Sequence, residues 1–182
     1  MSTRVITGPR TRFSYVNLWE PKAMEGGKAK YSASLIISKD DKETLSRIEA
    51  AIQQAYEEGI AKLKGTSKTA PPLAAIKTPL RDADVEKPED EAYKNAFFIN
   101  ANNYSQPGIV DVNRQEIIDH SEIYSGFYGR ASISFYAFNV NGNRGIACAL
   151  NHVMKIADGE PLGSKTTAAD DFASCDDADF LN

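Results

Sequence analysis

Residues 128–140 (YGRASISFYAFNV) alternate along their whole length: Ala131, Ile133 and Phe135 point one way, and Tyr128, Arg130, Ser132, Ser134 and Tyr136 point the other. A period of two puts one face of a strand in a core and leaves the other in water, which a helix cannot do with the same residues. The Asn141-Gly142-Asn143-Arg144-Gly145 turn then returns the chain into residues 146–156 (IACALNHVMKI), predicting a hairpin. An isolated two-stranded ribbon is marginal in water, so the hairpin requires further strands. Residues 11–19 (TRFSYVNLW) and 30–37 (KYSASLII, with Tyr31, Ala33, Leu35 and Ile37 on one face) supply two, joined through a Pro- and Gly-Gly-containing loop at 20–27. Shorter strands are predicted at 96–101 and 109–112. One amphipathic helix is predicted within 38–63, with Leu45, Ile48, Ile52, Ala55, Ile60 and Leu63 on its apolar stripe. Residues 64–90, interrupted by Pro71, Pro72, Pro79 and Pro88, fit no regular element, and so long a loop is often functional. The fold class expected is mainly β with one helix: an OB-fold-like antiparallel barrel with long loops, formed by a single domain over residues 1–163.

Charge divides the chain unevenly. From Asp158 onward seven acids face one lysine, a net of −6, which leaves +2 for the rest of a chain whose total is −4. Residues 1–30 alone carry six bases against Glu20 and Glu25. The segment 164–182 offers too little apolar surface to offset the entropy of ordering it, and is expected to be a disordered acidic tail.

Several chemistries lack the residues they need. There is no phosphate-binding Gly-x-x-x-x-Gly-Lys loop, no Gly-x-Ser-x-Gly elbow and no His-Glu-x-x-His helix, and His120 and His152 are far apart in sequence. Cys148 and Cys175 are isolated, so neither a disulfide framework nor a zinc site is encoded, and a reducing cytoplasm fits. No apolar run approaches the roughly 18 residues that span a bilayer. The expectation is a protein that is not an enzyme, with no catalytic residues, metal, cofactor or membrane partner.

What the body does carry is aromatic residues beside cations: Trp19 near Lys22, Tyr31 beside Lys30, Tyr93 beside Lys94, and Tyr128 on the same strand face as Arg130. Rings that stack unpaired bases, interleaved with cations that follow phosphates, are the equipment of a sequence-tolerant single-strand binder.

The runs WEPKAMEGGKAKYSASLIISKDD and YSGFYGRASISFYAFNVNGNRGIACALNHVMKIADGEPLG, with the acidic ending DDADFLN, resemble the phage single-stranded DNA-binding protein family. The likeness covers nearly the whole chain in order. It implies an OB barrel that coats single-stranded DNA (ssDNA) in replication and recombination, without base preference or catalysis, in the cytoplasm of the bacterial host. By motif it assigns DNA contacts to Trp19, Lys28, Lys30, Tyr31, Tyr124, Tyr128 and Arg130, to which Tyr93 and Lys94 are added from their adjacency. It also implies a tail, represented by Asp176, Asp177, Asp179 and Phe180, that contacts replication proteins such as a DNA polymerase or helicase and competes with DNA. Many such tails end in Phe, whereas here Leu181 and Asn182 follow Phe180. A rival reading is a non-catalytic structural or assembly protein of a phage; the oligomeric state stays open.

Overall fold

The computed structural model describes residues 2–23, 27–162 and 172. In chain order it contains β1 (Arg4–Ile6), β2 (Thr11–Lys22), β3 (Lys30–Ser38), α1 (Lys42–Glu58), α2 (Ile60–Lys64), β4 (Arg81–Asp82), α3 (Ala83–Glu86), β5 (Ala96–Asn103), β6 (Gly108–Val110), β7 (Tyr128–Val140) and β8 (Asn143–Ala157). The acidic segment 164–182 lies outside the described residues apart from an exposed Phe172, and so does the domain boundary at 163.

The alternation of β7 appears as predicted: Ala131 and Ile133 are fully buried and Phe135 nearly so, while Tyr136 faces solvent. β7 pairs with β8 along its entire length. It also pairs with β2, and the run β7–β2–β3–β5–β8 returns to its start through the hairpin. Inside lie Phe13, Leu35, Ile99, Ile133 and Leu150, with Phe13 stacked on Phe127 at 4.4 Å.

Two expectations need correction. The sheet is mixed rather than antiparallel, because β5 and β6 both run parallel to β8. Parallel neighbours require a crossover connection, which residues 104–142 provide between β5 and β8 and residues 111–142 between β6 and β8. Three α-helices occur among the described residues, not one. The predicted helix stops at Gly59, where a Cβ would stand 2.3 Å from Ala137 Cβ; only glycine permits that approach to β7. α1 begins where Asp41 accepts a hydrogen bond from Thr44 N, and it buries Leu45, Ile48, Ile52 and Ala55 against the sheet. The proline-rich segment supplies β4 and α3, and with Tyr93, Ala96, Phe98 and Ile36 the α3 residue Ala83 forms a second, smaller core on the outer side of the sheet.

Strict alternation fails on β2. Ser14 pairs with Ser34 but Asn17 pairs with Ser32, so three steps on β2 oppose two on β3. This bulge reverses the faces: Phe13 and Leu18, odd and even, both enter the core, and Tyr15 turns outward, 62% exposed, with φ of 48°. A bulky residue in the left-handed region is uncommon and costs energy, which the surrounding pairing must supply.

Candidate nucleic-acid interface

β3 and β5 pair without interruption from Tyr31↔Asn103 to Ser38↔Ala96. With Ala33, Leu35 and Ile37 committed to the core, the pleat turns Lys30, Ser32 and Ser34 outward beside Asn102 and Asn100. Asn17 joins this floor from β2, donating from Nδ2 to Ser32 Oγ at 3.2 Å. The result is an open groove of about 370 Å³ with a hydroxyl and amide floor.

Lys22, Lys30 and Lys87 line the groove, and no carboxylate does among the described residues. None of the three forms an ion pair among the described residues. Lys30 Nζ stands 4.7 Å from the Tyr104 ring centroid, and Lys87 Nζ stands 5.2 Å from that of Tyr15 and 4.9 Å from that of Tyr93. Tyr104 is 60% exposed. Two accessible rings, each with its own ammonium, therefore flank the floor. The arrangement can stack planar groups on the rings and neutralise anions strung between them.

Of the residues named from sequence, Lys30 lines this groove and Lys28 is exposed in the connection that leads to it. Tyr31, half-buried, lies on the opposite side of β3 with the core residues. Tyr93 is 1% exposed; its hydroxyl donates to Ser34 Oγ at 2.9 Å, and burial pushes its pKa up, keeping the phenol protonated. Lys94 is exposed beside it.

Trp19 stacks on His120 at 4.1 Å with planes 7° apart, and its Nε1 donates to His120 O at 3.1 Å. Tyr124 donates to Asp158 Oδ1 at 2.8 Å, and the nearly buried Lys155 reaches Asp158 at 2.6 Å and Glu122 at 2.7 Å. Tyr128 lies under Arg12, 5.3 Å from the ring centroid, and Arg130 Nη1 donates to Thr7 O at 3.2 Å. Tyr124, Lys155 and Arg12 fasten residues 158–162 across the turn at 124–128: Arg12 Nη2 donates to Glu160 O, and Leu162 N donates to Ser125 O. Gly126, at φ of +125°, has room for no side chain there, since a Cβ would meet Glu160 O at 2.3 Å.

Sequence reasoning missed Tyr15, Lys87 and Tyr104, and it named Lys22 only as the cation near Trp19, without assigning it a DNA contact. Tyr15 is hidden by the bulge, and Lys87 lies in the segment that had no assignment. Tyr104 follows β5 by one residue, but nothing in sequence places it against Lys30.

The fold and this face define a class: a mainly β module that presents a polar sheet surface, basic and flanked by aromatic rings, to an extended anionic ligand. The chain belongs to the Enterobacter phage Enc34 ssDNA-binding protein family, whose model matches residues 3–181. It is 25% identical to the single-stranded DNA-binding protein from bacteriophage Enc34 in its complex with ssDNA, with a TM-score of 0.74 over 88% of this chain and 90% of that one. The single-stranded DNA-binding protein gp2.5 of bacteriophage T7 shares the fold at a TM-score of 0.61 and 14% identity, over 97% of this chain and 96% of that one. A p50 protein of Acyrthosiphon pisum secondary endosymbiont phage 1 is 26% identical over 181 residues, 93% of this chain and 95% of that protein.

Proposed function

We propose that this protein binds single-stranded DNA along the outer face of β2, β3 and β5, without cleaving it and with little base preference, and coats it during phage replication and recombination in the host cytoplasm. The observation that carries this reading is the groove with three lysines, no lining carboxylate among the described residues, and the exposed Tyr15 and Tyr104 at its margins. Bases stack on the tyrosines through faces that a duplex hides, and the lysines follow the phosphates. Lys28 and Lys30 contact the backbone, while Trp19, Tyr31, Tyr93, Tyr124, Tyr128 and Arg130 serve the fold rather than the DNA. The circuit of β7, β2, β3, β5 and β8 is read as an OB-type barrel.

The acidic segment after residue 163, with Asp176, Asp177, Asp179 and Phe180, competes with DNA for this face and engages replication proteins such as a polymerase or helicase. Leu162, which lines one cavity with Tyr15 and Tyr93, supports the first part, because the chain runs toward the acids from beside the basic face. A tethered anion acts at high local concentration and is screened by salt.

The test is fluorescence anisotropy with oligo-dT and with duplex across a salt series. Preference for the single strand is expected, with a log–log salt slope of about −0.7 for each phosphate neutralised. Equal affinity for duplex, or indifference to salt, rejects the reading and favours a structural phage protein. Cleavage with magnesium would identify a nuclease instead. Truncation after residue 162 is expected to tighten binding at low salt.

A further inference from the structure

Tyr104, one of the two open rings of the groove, sits in a loop that the backbone does not hold. Residues 104–107 join β5 to β6 and make no backbone–backbone hydrogen bond among the described residues. Side chains fasten the loop instead. Ser105 N donates to Asn103 Oδ1 at 3.1 Å, Gln106 Nε2 donates to Leu18 O at 3.2 Å, and at the far end Gly108 N donates to His152 Nδ1 at 3.2 Å. The last contact is close-packed as well as bonded: a Cβ on Gly108 would stand 2.9 Å from Nδ1, so the imidazole lies directly against this glycine.

An imidazole nitrogen that accepts a hydrogen bond carries no proton, so the ring holds Gly108 only while it is neutral, with its proton on Nε2. A proton on Nδ1 sets N–H against N–H and ends the contact. The amides of Asn103 and Gln106 do not titrate, so of the three fastenings only the one at His152 responds to pH. The ring is exposed on the outward side of β8, beside a small apolar notch lined by Ile6 of β1, Arg130 and Ser132 of β7, Val110 of β6 and Met154. Arg130 is the charged residue in that lining, and Arg4 lies on the same side of β1 as Ile6. No carboxylate lines the notch among the described residues, so a protonated ring finds no anionic partner there.

We propose that His152 is a proton-sensitive latch on the loop that carries Tyr104: the neutral ring keeps Tyr104 at the groove margin beside Lys30, and the protonated ring releases the loop and weakens ssDNA binding. This rests on the DNA-binding function proposed above and adds a control to it. A loop that occupies the stacking position only part of the time lowers the apparent affinity by that fraction. The sign of the effect is distinctive. Protonating a histidine adds positive charge, which by itself strengthens attraction to phosphates, whereas release of the latch weakens binding.

The test is anisotropy with oligo-dT at fixed salt from about pH 8 to about pH 5.5, the range over which imidazoles change charge. The wild type is expected to lose affinity roughly threefold to tenfold toward the acid end, about the worth of one hydrogen bond. His152→Asn, whose Oδ1 accepts without titrating, is expected to keep the alkaline affinity across the range. His152→Phe, which cannot accept, is expected to bind at the weaker level throughout. Backbone NMR relaxation without DNA needs no variant: residues 104–107 of the wild type are expected to be more mobile at the acid end than at the alkaline end. Affinity that is flat or rises on acidification overturns the proposal, as does a loop equally ordered at both ends. So does a His152→Asn variant with the wild-type profile, which would assign the effect to His120, the other histidine. If the wild type binds no oligonucleotide at any pH, the DNA-binding reading itself falls, and the relaxation measurement still judges the latch.

Discussion

The groove face and the fastened end at residues 120–128 and 155–162 contain the same kinds of residue, aromatic rings next to cations, and use them in opposite ways. At the fastened end these polar termini have internal partners: Trp19 on His120, Tyr124 on Asp158, Lys155 on Asp158 and Glu122, and Arg12 on Glu160. On the groove face Tyr15 and Tyr104 are open, and the ammonium groups of Lys30 and Lys87 stand over rings and form no ion pair among the described residues. A ring beside a cation is therefore no sign of a binding site by itself. What distinguishes a site is a cation whose charge the fold leaves unmatched, because only that charge remains to attract a phosphate.

The comparison breaks most clearly at the two open tyrosines. Tyr15→Ala and Tyr104→Ala are each expected to weaken ssDNA binding by roughly 1 to 3 kcal/mol, the value of a stacked base. The melting temperature should stay put in both; a drop that tracks the loss of affinity would make these rings structural. At the other end Trp19→Ala should show the reverse. It removes a partly buried, stacked ring, and about 2 kcal/mol of folding stability is expected to go, below the 3 to 5 typical of fully buried aromatics. Denaturant unfolding measures that loss, and DNA affinity at a temperature where the variant is folded should match the wild type.

A smaller effect is expected from Lys30→Gln and Lys87→Gln. Each should make the slope of log affinity against log salt shallower by about 0.7 while leaving duplex discrimination intact. The smallest sharpens the fastened end alone. Hydrogen bonds from Lys155 and then from Tyr124 hold the Asp158 carboxyl below its ordinary value of 3.8. A lowered pKa stabilises the fold above the ordinary value, and that contribution is lost as pH falls through the folded pKa. Melting temperature should thus decline below about pH 4, and Asp158→Asn should flatten that decline. An identical acid limb in the variant would show that the Asp158 contact adds nothing to stability.

Much of the fold is legible in the sequence because it rests on local periodicity. The span of β7, its inward residues, the hairpin into β8 and the apolar stripe of α1 all follow from which positions must be dry. The site was legible only in part. Lys30 could be placed on the groove side, because β3 alternates strictly. Tyr15 could not, because one additional residue on β2 reverses parity, and no residue type announces a bulge that its partner strand creates. Lys87 could not either, since its segment has no period, and its position depends on Ala83 and Tyr93 closing the second core against Phe98 and Ile36.

By itself, then, the sequence determined a mainly β chain with a long hairpin, one buried face on each strand, an amphipathic helix, a basic body and an acidic end. These follow from hydrophobic spacing and from charge, which neighbours in the chain express without help. Tertiary structure alone decided that the sheet is mixed, that the helix ends at Gly59 against β7, and which aromatics remain open beside unmatched lysines. Those outcomes depend on contacts between residues far apart in sequence, such as Tyr124 with Asp158, Lys30 with Tyr104 and Lys87 with Tyr15, where a partner either consumes a charge or leaves it free.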